Sequence, residues 1–269
     1  MARFRVPRSV ETSLICWLAA GLVIWLPGPI VAGDVPVVAA ASSLNPMLNE
    51  VVLSFSGQTG KSVRVSFGSS GNIARQIIQG APFELFLSAD ERYVRSLVDR
   101  ALTIDRGAQY ATGRLVLFVP AGSTIRADSG LQDLGRALDD GRLKRLAIAN
   151  PEHAPYGRAA RQLLEGRGLW PRLSGKLVFG ENVSQAAQFA STGNVEAAIF
   201  AYSMALSPAL SRRGSFVLVP KQWHEPIRHR MVLLNGAGQT ALALYAFINE
   251  PTARRILEKY GFTSPGAAP

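Results

Sequence analysis

Cysteine is nearly absent. The 269 residues contain one, Cys16, inside an N-terminal stretch whose features are those of a removable leader. A chain without that leader has no thiol, so disulfides, a cysteine nucleophile and cysteine metal sites are all excluded. Histidine is scarce as well, at three residues, His153, His224 and His229. His224 and His229 flank a proline-containing segment with no acidic pair beside them, so they read as exposed loop histidines rather than metal ligands. Acidic residues are the minority, 19 against 29 lysines and arginines. The arginines are scattered, densest at Arg212/Arg213, Arg228 to Arg230 and Arg254/Arg255. Nucleic-acid binding would call for a basic stripe with stacking aromatics, so a solvated basic surface is the better reading. Low-complexity tracts and internal repeats are also missing.

One long apolar run is present, Leu14 to Leu26, and it follows a short segment carrying Arg3, Arg5 and Arg8. It falls short of the ~20 residues that span a bilayer. Pro27, Gly28 and Pro29 close it, and Ala32-Gly33 before Asp34 suits a signal peptidase. Residues 1–33 therefore read as a cleaved export signal. Ile15 before Cys16 is not small, which argues against lipidation. Removing Arg3, Arg5, Arg8 and Glu11 leaves 26 basic and 18 acidic residues, a net charge of +8. That sign steers anions toward the protein.

Beyond Asp34 the pattern alternates between strand and helix. Val35 to Ala41 is a buried strand, followed by apolar positions at helical spacing through Phe55, with Ser42 or Ser43 as the expected N-cap. Ser62 to Phe67 is a strand, Gly68 to Gly71 a turn, and Ile73 to Ile78 a helix stopped at Gly80. Leu85 to Leu87 is a strand, and a helix follows through Tyr93, Leu97 and Val98. After the apolar strand Leu115 to Val119 a second series begins. Its strands are expected at Leu146 to Ala149, Lys176 to Phe179, Ala197 to Phe200 and Phe216 to Val219. Its helices are expected near Gly157 to Glu165, Ser184 to Ser191 and Met204 to Leu210. Met231 to Leu234 and two helices broken at Pro251 complete the chain. Such alternation implies an α/β fold with mixed, mainly parallel sheets, and two series imply two lobes with a cleft.

Ligands of open α/β sheets sit beyond the carboxyl ends of strands, where helices begin. Four such junctions stand out: Ala39 to Ser43, Phe67 to Gly71, Asn150 to Gly157 and Glu181 to Ser184. Each presents free amides, the first two also hydroxyls, and each helix N-terminus acts as roughly +0.5 of a charge. A tetrahedral oxyanion without a proton is an acceptor only, so a site made only of donors suits it. A serine hydrolase is the rival from another class. Gly68-Ser69-Ser70-Gly71 is one residue too short for a nucleophile elbow, which leaves His153 as an isolated candidate base.

These stretches, in this order, resemble the molybdate-binding periplasmic proteins of bacterial ABC importers. The similar pieces are Ala39-Ala40-Ala41-Ser42, Phe67-Gly68-Ser69-Ser70, Ala74 to Ile77, Gly80-Ala81-Pro82, Leu85 to Asp90, Pro151 to Gly157 and Tyr260-Gly261-Phe262. The resemblance implies a type 2 periplasmic-binding-protein fold. In it residues 34–115 and 232–269 form one lobe and 116–231 the other, each a sheet flanked by helices. It implies a non-enzymatic, monomeric periplasmic receptor with no cofactor and no metal other than the molybdenum of its ligand. That receptor would bind molybdate or tungstate and hand it to a membrane permease and its ATPase. Carried over by position, the contacts are the hydroxyl and amide of Ser42 and of Ser70, with the amides of Tyr156 and Val183; Ser43 is an additional candidate through its amide. Some relatives add a tyrosine hydroxyl, but the matching position here is Ala201, with Tyr202 beside it. Sulfate, of the same charge and shape, is the rival ligand. Phosphate sites usually include a carboxylate to accept the phosphate proton, and only Glu181 lies close in sequence.

Overall fold

The computed structural model describes residues 35–265. The expected export signal, its cleavage site and Cys16 lie outside these residues.

In chain order the elements are β1 (Val37–Ala41), a one-turn 3-10 helix (Ser42–Leu44) running into α1 (Asn45–Thr59), β2 (Arg64–Gly68), α2 (Ser70–Ile78), β3 (Leu85–Ser88), α3 (Glu91–Val98) and β4 (Ala108–Gly113). There follow β5 (Leu115–Pro120), α4 (Gln132–Asp139), β6 (Leu146–Ala149), α5 (Pro155–Gly166), β7 (Leu177–Gly180), α6 (Val183–Ser191), β8 (Ala197–Ala201) and the short α7 (Tyr202–Ala205) and α8 (Pro208–Ser211). The chain ends with β9 (Gly214–Leu218), β10 (Ile227–Leu233), α9 (Gln239–Ile248) and α10 (Pro251–Lys259).

The strands form two five-stranded sheets, ordered β2-β1-β3-β10-β4 and β7-β6-β8-β5-β9. Both sheets are mixed, each with two parallel and two antiparallel pairings. The parallel pairings lie where helices cross over, and the antiparallel ones are made by β4, β5, β9 and β10. These strands also carry the chain between lobes: β4 passes into β5 through the single residue Arg114, and β10 brings it back.

Alternation along the strands sorts side chains onto the two faces of the first sheet. Val38, Ala40, Leu85, Leu87, Met231 and Leu233 join the large core under α1, α9 and α10. Ala39, Phe86 and Val232 face the opposite way, onto Ile73, Ile77, Val94 and Leu97 of α2 and α3. The strand β1 contains Ala39-Ala40-Ala41, and their small side chains let the following helix start close to the sheet.

Several expectations change. The Met204 to Leu210 helix is two single turns, because Ser207 precedes Pro208 and is extended at ψ 146°. The strand expected from Met231 begins four residues earlier, at Ile227, with Arg228 exposed and His229 buried in alternation. The strand β4 and the helix α4 were not anticipated. The polar sequence Ala-Gln-Tyr-Ala-Thr-Gly hides the first. The second lacks a neighbouring cap, since Leu131 is left-handed at φ 57° and Asp128 accepts from the amides of Gln132 and Asp133 instead. No helix among the described residues is long and apolar enough to cross a membrane.

Candidate functional site

The four junctions meet. Ala41, Ser42, Ser43, Gly68, Ser69, Ser70 and Ala89 of one lobe, with Ala154, Pro155, Tyr156 and Val183 of the other, enclose a single cavity. It is tight, about 10 Å³. Ala201 and Tyr202 lie outside this lining. Ala201 is buried in β8 opposite Leu115, and the Tyr202 ring packs on Phe216 and close to Gly261.

The local backbone explains why the donors are free. Ser42 and Ser43 do not cap α1, as their sequence positions suggested. The helical turn begins at Ser42 itself, with Ala41 as its N-cap and no capping bond from a side chain. Both hydroxyls are buried and not consumed by capping. Ser70 is the first residue of α2, so its amide has no partner within the helix. Its Oγ accepts from the amide of Ala89 at 3.0 Å, which fixes the hydroxyl and leaves its proton to donate elsewhere.

Tyr156 is the second residue of α5, behind Pro155, which carries no N–H. The next residue must be glycine: a Cβ on Gly157 would stand 2.1 Å from the carbonyl oxygen of Ala149. The helix can therefore lie against the end of β6 and bring the Tyr156 amide to the cavity. At α6 the cap is Asn182, whose side chain accepts from the amides of Ser184 and Gln185 at 3.0 and 3.2 Å. It leaves out the amide of Val183, the first helical residue.

No ionised side chain lines the cavity. Tyr156 is its only titratable residue, and burial raises that phenol well above its ordinary value. Glu181, named as a possible phosphate partner, accepts from Asn72 across the lobe seam and does not line the cavity. Four helix N-termini therefore supply the positive potential.

The lobes are shut over this space. Gly71 donates to the carbonyl of His153 at 3.0 Å, Ser184 Oγ to the carbonyl of Ser42 at 3.2 Å, and Ser203 Oγ to the carbonyl of Ser43 at 2.7 Å. His153 Nδ1 lies 2.9 Å from Ser69 Oγ, and Arg158 pairs with the mostly buried Asp90. Sequence reasoning gave none of these cross-lobe partners, whose positions carry no periodic signal.

His224 and His229 are both buried, which corrects the exposed-loop reading. His229 lies on β10 and is fully enclosed; desolvation alone drives its imidazole down to about 3. No group of His, Cys, Asp and Glu among the described residues is arranged to hold a metal. A wider groove of about 270 Å³ lies beyond Pro155. Its Asp90 pairs with Arg158 and its Glu91 with Arg228, and three carboxylates, those of Asp90, Glu91 and Glu225, make it unsuited to an acceptor-only anion.

Comparison with known proteins agrees with this geometry. The family of bacterial extracellular solute-binding proteins matches residues 36–263. The molybdate-binding protein ModA of Rhodobacter capsulatus is 37% identical, over 91% of this chain and 94% of that protein. Its namesake in Azotobacter vinelandii is 36% identical, over 86% and 90%. The solved structure of the Azotobacter vinelandii periplasmic molybdate-binding protein superimposes with a TM-score of 0.76 at 29% identity, covering 86% of this chain and 99% of that one. The sulfate-binding protein SubI of Mycobacterium tuberculosis, at 17% identity and a TM-score of 0.70, shares the fold.

Proposed function

The chain belongs to the bacterial extracellular solute-binding proteins and, among them, to the molybdate-binding proteins of ABC importers; from that premise we propose that its cleft captures molybdate, and tungstate as a close analogue, for delivery to a membrane permease and its ATPase. One observation carries the reading: helix N-termini from both lobes converge on one tight cavity whose lining offers hydroxyls and amides but no ionised group. So small a space favours a compact ion over an organic anion.

The contacts are the hydroxyl and amide of Ser42, the same groups of Ser70, and the amides of Ser43, Tyr156 and Val183. Ala201 and Tyr202 contribute none. Charge-assisted hydrogen bonds of this kind contribute roughly 1.5–3 kcal/mol each, and a doubly charged tetrahedral ion accepts from all of them. Because donors come from both lobes, the ion completes its shell only when the cleft shuts, so it favours the closed form by differential affinity.

The lobes divide near residues 115 and 231, and sheet membership supports this to within a few residues: β4 ends at Gly113 and β10 begins at Ile227. The protein acts as a monomer in the periplasm, reached through the export signal over 1–33.

A hydrolase reading has one observation in its favour, the Ser69–His153 contact with Glu181 3.7 Å beyond the imidazole. That trio sits in the lobe seam, beside a cavity too tight for an ester and its leaving group. The Ser70 hydroxyl is bonded to Ala89 and to no histidine among the described residues.

Thermal melting with four anions tests the function. A ligand at about a thousand times its Kd adds roughly 4 kcal/mol of stability, a shift on the order of 10 °C for a chain of this size. Molybdate and tungstate should give such a shift, and sulfate and phosphate little. Equal shifts with sulfate would sink the molybdate assignment and leave an oxyanion receptor.

A further inference from the structure

Tyr156 has a second set of contacts. Its amide faces the cavity, while its phenol reaches the two strands that join the lobes. There the hydroxyl lies 3.2 Å from Nε2 of His229 on β10, and Nδ1 of the same ring lies 3.5 Å from the hydroxyl of Tyr110 on β4. All three side chains are buried. The phenol fits because Gly113, also on β4, has no side chain: a Cβ there would stand 2.0 Å from the Tyr156 hydroxyl. The rings of Tyr110, Tyr156 and Phe262 all meet the imidazole edge to face, so His229 cannot turn away from its partners without disturbing the packing. A neutral imidazole has one N–H and one lone pair, and the hydroxyls on either side can each donate or accept.

At the other end of this chain stands Ser43. Its hydroxyl is close enough to the Tyr156 phenol to favour the ionised form of that group, yet Ser43 Oγ has no hydrogen-bond partner among the described residues. The residue is 1% exposed and is among those lining the cavity, and its carbonyl is held by Ser203. Burying a hydroxyl without a partner is costly, so an orphaned hydroxyl on a residue that lines a cavity marks a place where a ligand can supply the acceptor.

We propose that the Ser43 hydroxyl is a further donor to the bound oxyanion, and that His229 is a positioning residue for it, acting through Tyr156. The proposal rests on the oxyanion reading of the cavity. An acceptor-only ion fixes the direction of every bond in the chain. Ser43 O–H points at the ion, and its oxygen accepts from Tyr156 O–H. The Tyr156 oxygen accepts from Nε2–H of His229, whose Nδ1 accepts from Tyr110 O–H. Bonds aligned in this way polarise one another. Ser43 and Tyr156 come from opposite lobes and His229 from a crossing strand, so the chain is complete only in the closed molecule.

Calorimetric titration with molybdate, together with ligand-free melting, tests the donor. Ser43→Ala should weaken binding roughly tenfold or more, while the ligand-free melting temperature stays level or rises because an orphaned hydroxyl has been removed. Affinity within about twofold of wild type overturns the proposal and leaves the oxyanion reading standing. A wild-type protein that binds no tetrahedral oxyanion overturns both. Nitrogen-15 NMR of the histidines tests the positioning role: in the molybdate complex His229 should carry its proton on Nε2, and a proton on Nδ1 contradicts the chain. His229→Leu should lose the Ser43 contribution and His229→Gln, which keeps a polar group at the Nε2 position, should recover most of it. Losses that simply add in Ser43→Ala/His229→Leu would contradict the coupling. Should the leucine variant fail to fold, the Ser43→Ala titration and the proton position on His229 still decide the matter.

Discussion

The two halves of the cavity are built from different materials. The half containing β1 and β2 offers serine hydroxyls as well as amides, at Ser42, Ser43 and Ser70. The half containing β6 and β7 offers only amides, at Tyr156 and Val183, held by a glycine contact and an asparagine cap. With the contacts proposed above, side chains would carry binding in the first lobe, whereas in the second the backbone path would carry it and the identity of the contact residue would matter little. Substitutions should reveal this asymmetry.

The largest effect is expected from Gly157→Ala, which touches no ligand. The added methyl would meet the Ala149 carbonyl at 2.1 Å, so α5 must move off β6. A loss of about 3 kcal/mol in urea unfolding and loss of measurable molybdate binding are expected; an intact affinity would show that the second lobe does not depend on this contact. Next is Ser70→Ala in the first lobe, which removes both a donor to the ion and the acceptor for the Ala89 amide. Titration should show binding weaker by about 2–3 kcal/mol, and a loss below twofold would remove Ser70 from the contact set.

Asn182→Ala sharpens the comparison from the other side. It should cost about 1 kcal/mol of stability as a lost cap, with a modest drop in affinity because the Val183 amide is less well fixed. Val183→Ala should have the smallest effect on binding. The amide survives, so affinity should stay within about twofold, while burial of fewer methyl groups lowers stability by about 1 kcal/mol. A large loss of affinity in Val183→Ala would erase the proposed difference between the halves.

The same asymmetry governs what was legible in the sequence. The four junctions could be read because each places small or polar residues between a short apolar run and a helical period, as in Ala39 to Ser43 and Asn150 to Gly157. Their convergence on one cavity needed the sheet topology, which periodicity alone does not report. Periodicity also gave the wrong role for Ser42 and Ser43, which read as caps, because propensity does not distinguish a residue before the first turn from one within it. His229 was missed for a related reason. With arginines on both sides it looked polar throughout, although an alternation of exposed Arg228 and enclosed His229 is the pattern of a half-buried strand. Cross-lobe bonds such as Ser203 to the Ser43 carbonyl join residues 160 apart in sequence and leave no local trace.

The most direct measurement is anomalous diffraction at the molybdenum edge from crystals of the molybdate complex. One peak is expected in the cavity bounded by Ser42, Ser70, Tyr156 and Val183, with every oxygen of the ion meeting an N–H or O–H group. A peak outside that cavity, or an ion held by arginine or lysine side chains, would contradict binding by uncharged donors at helix N-termini.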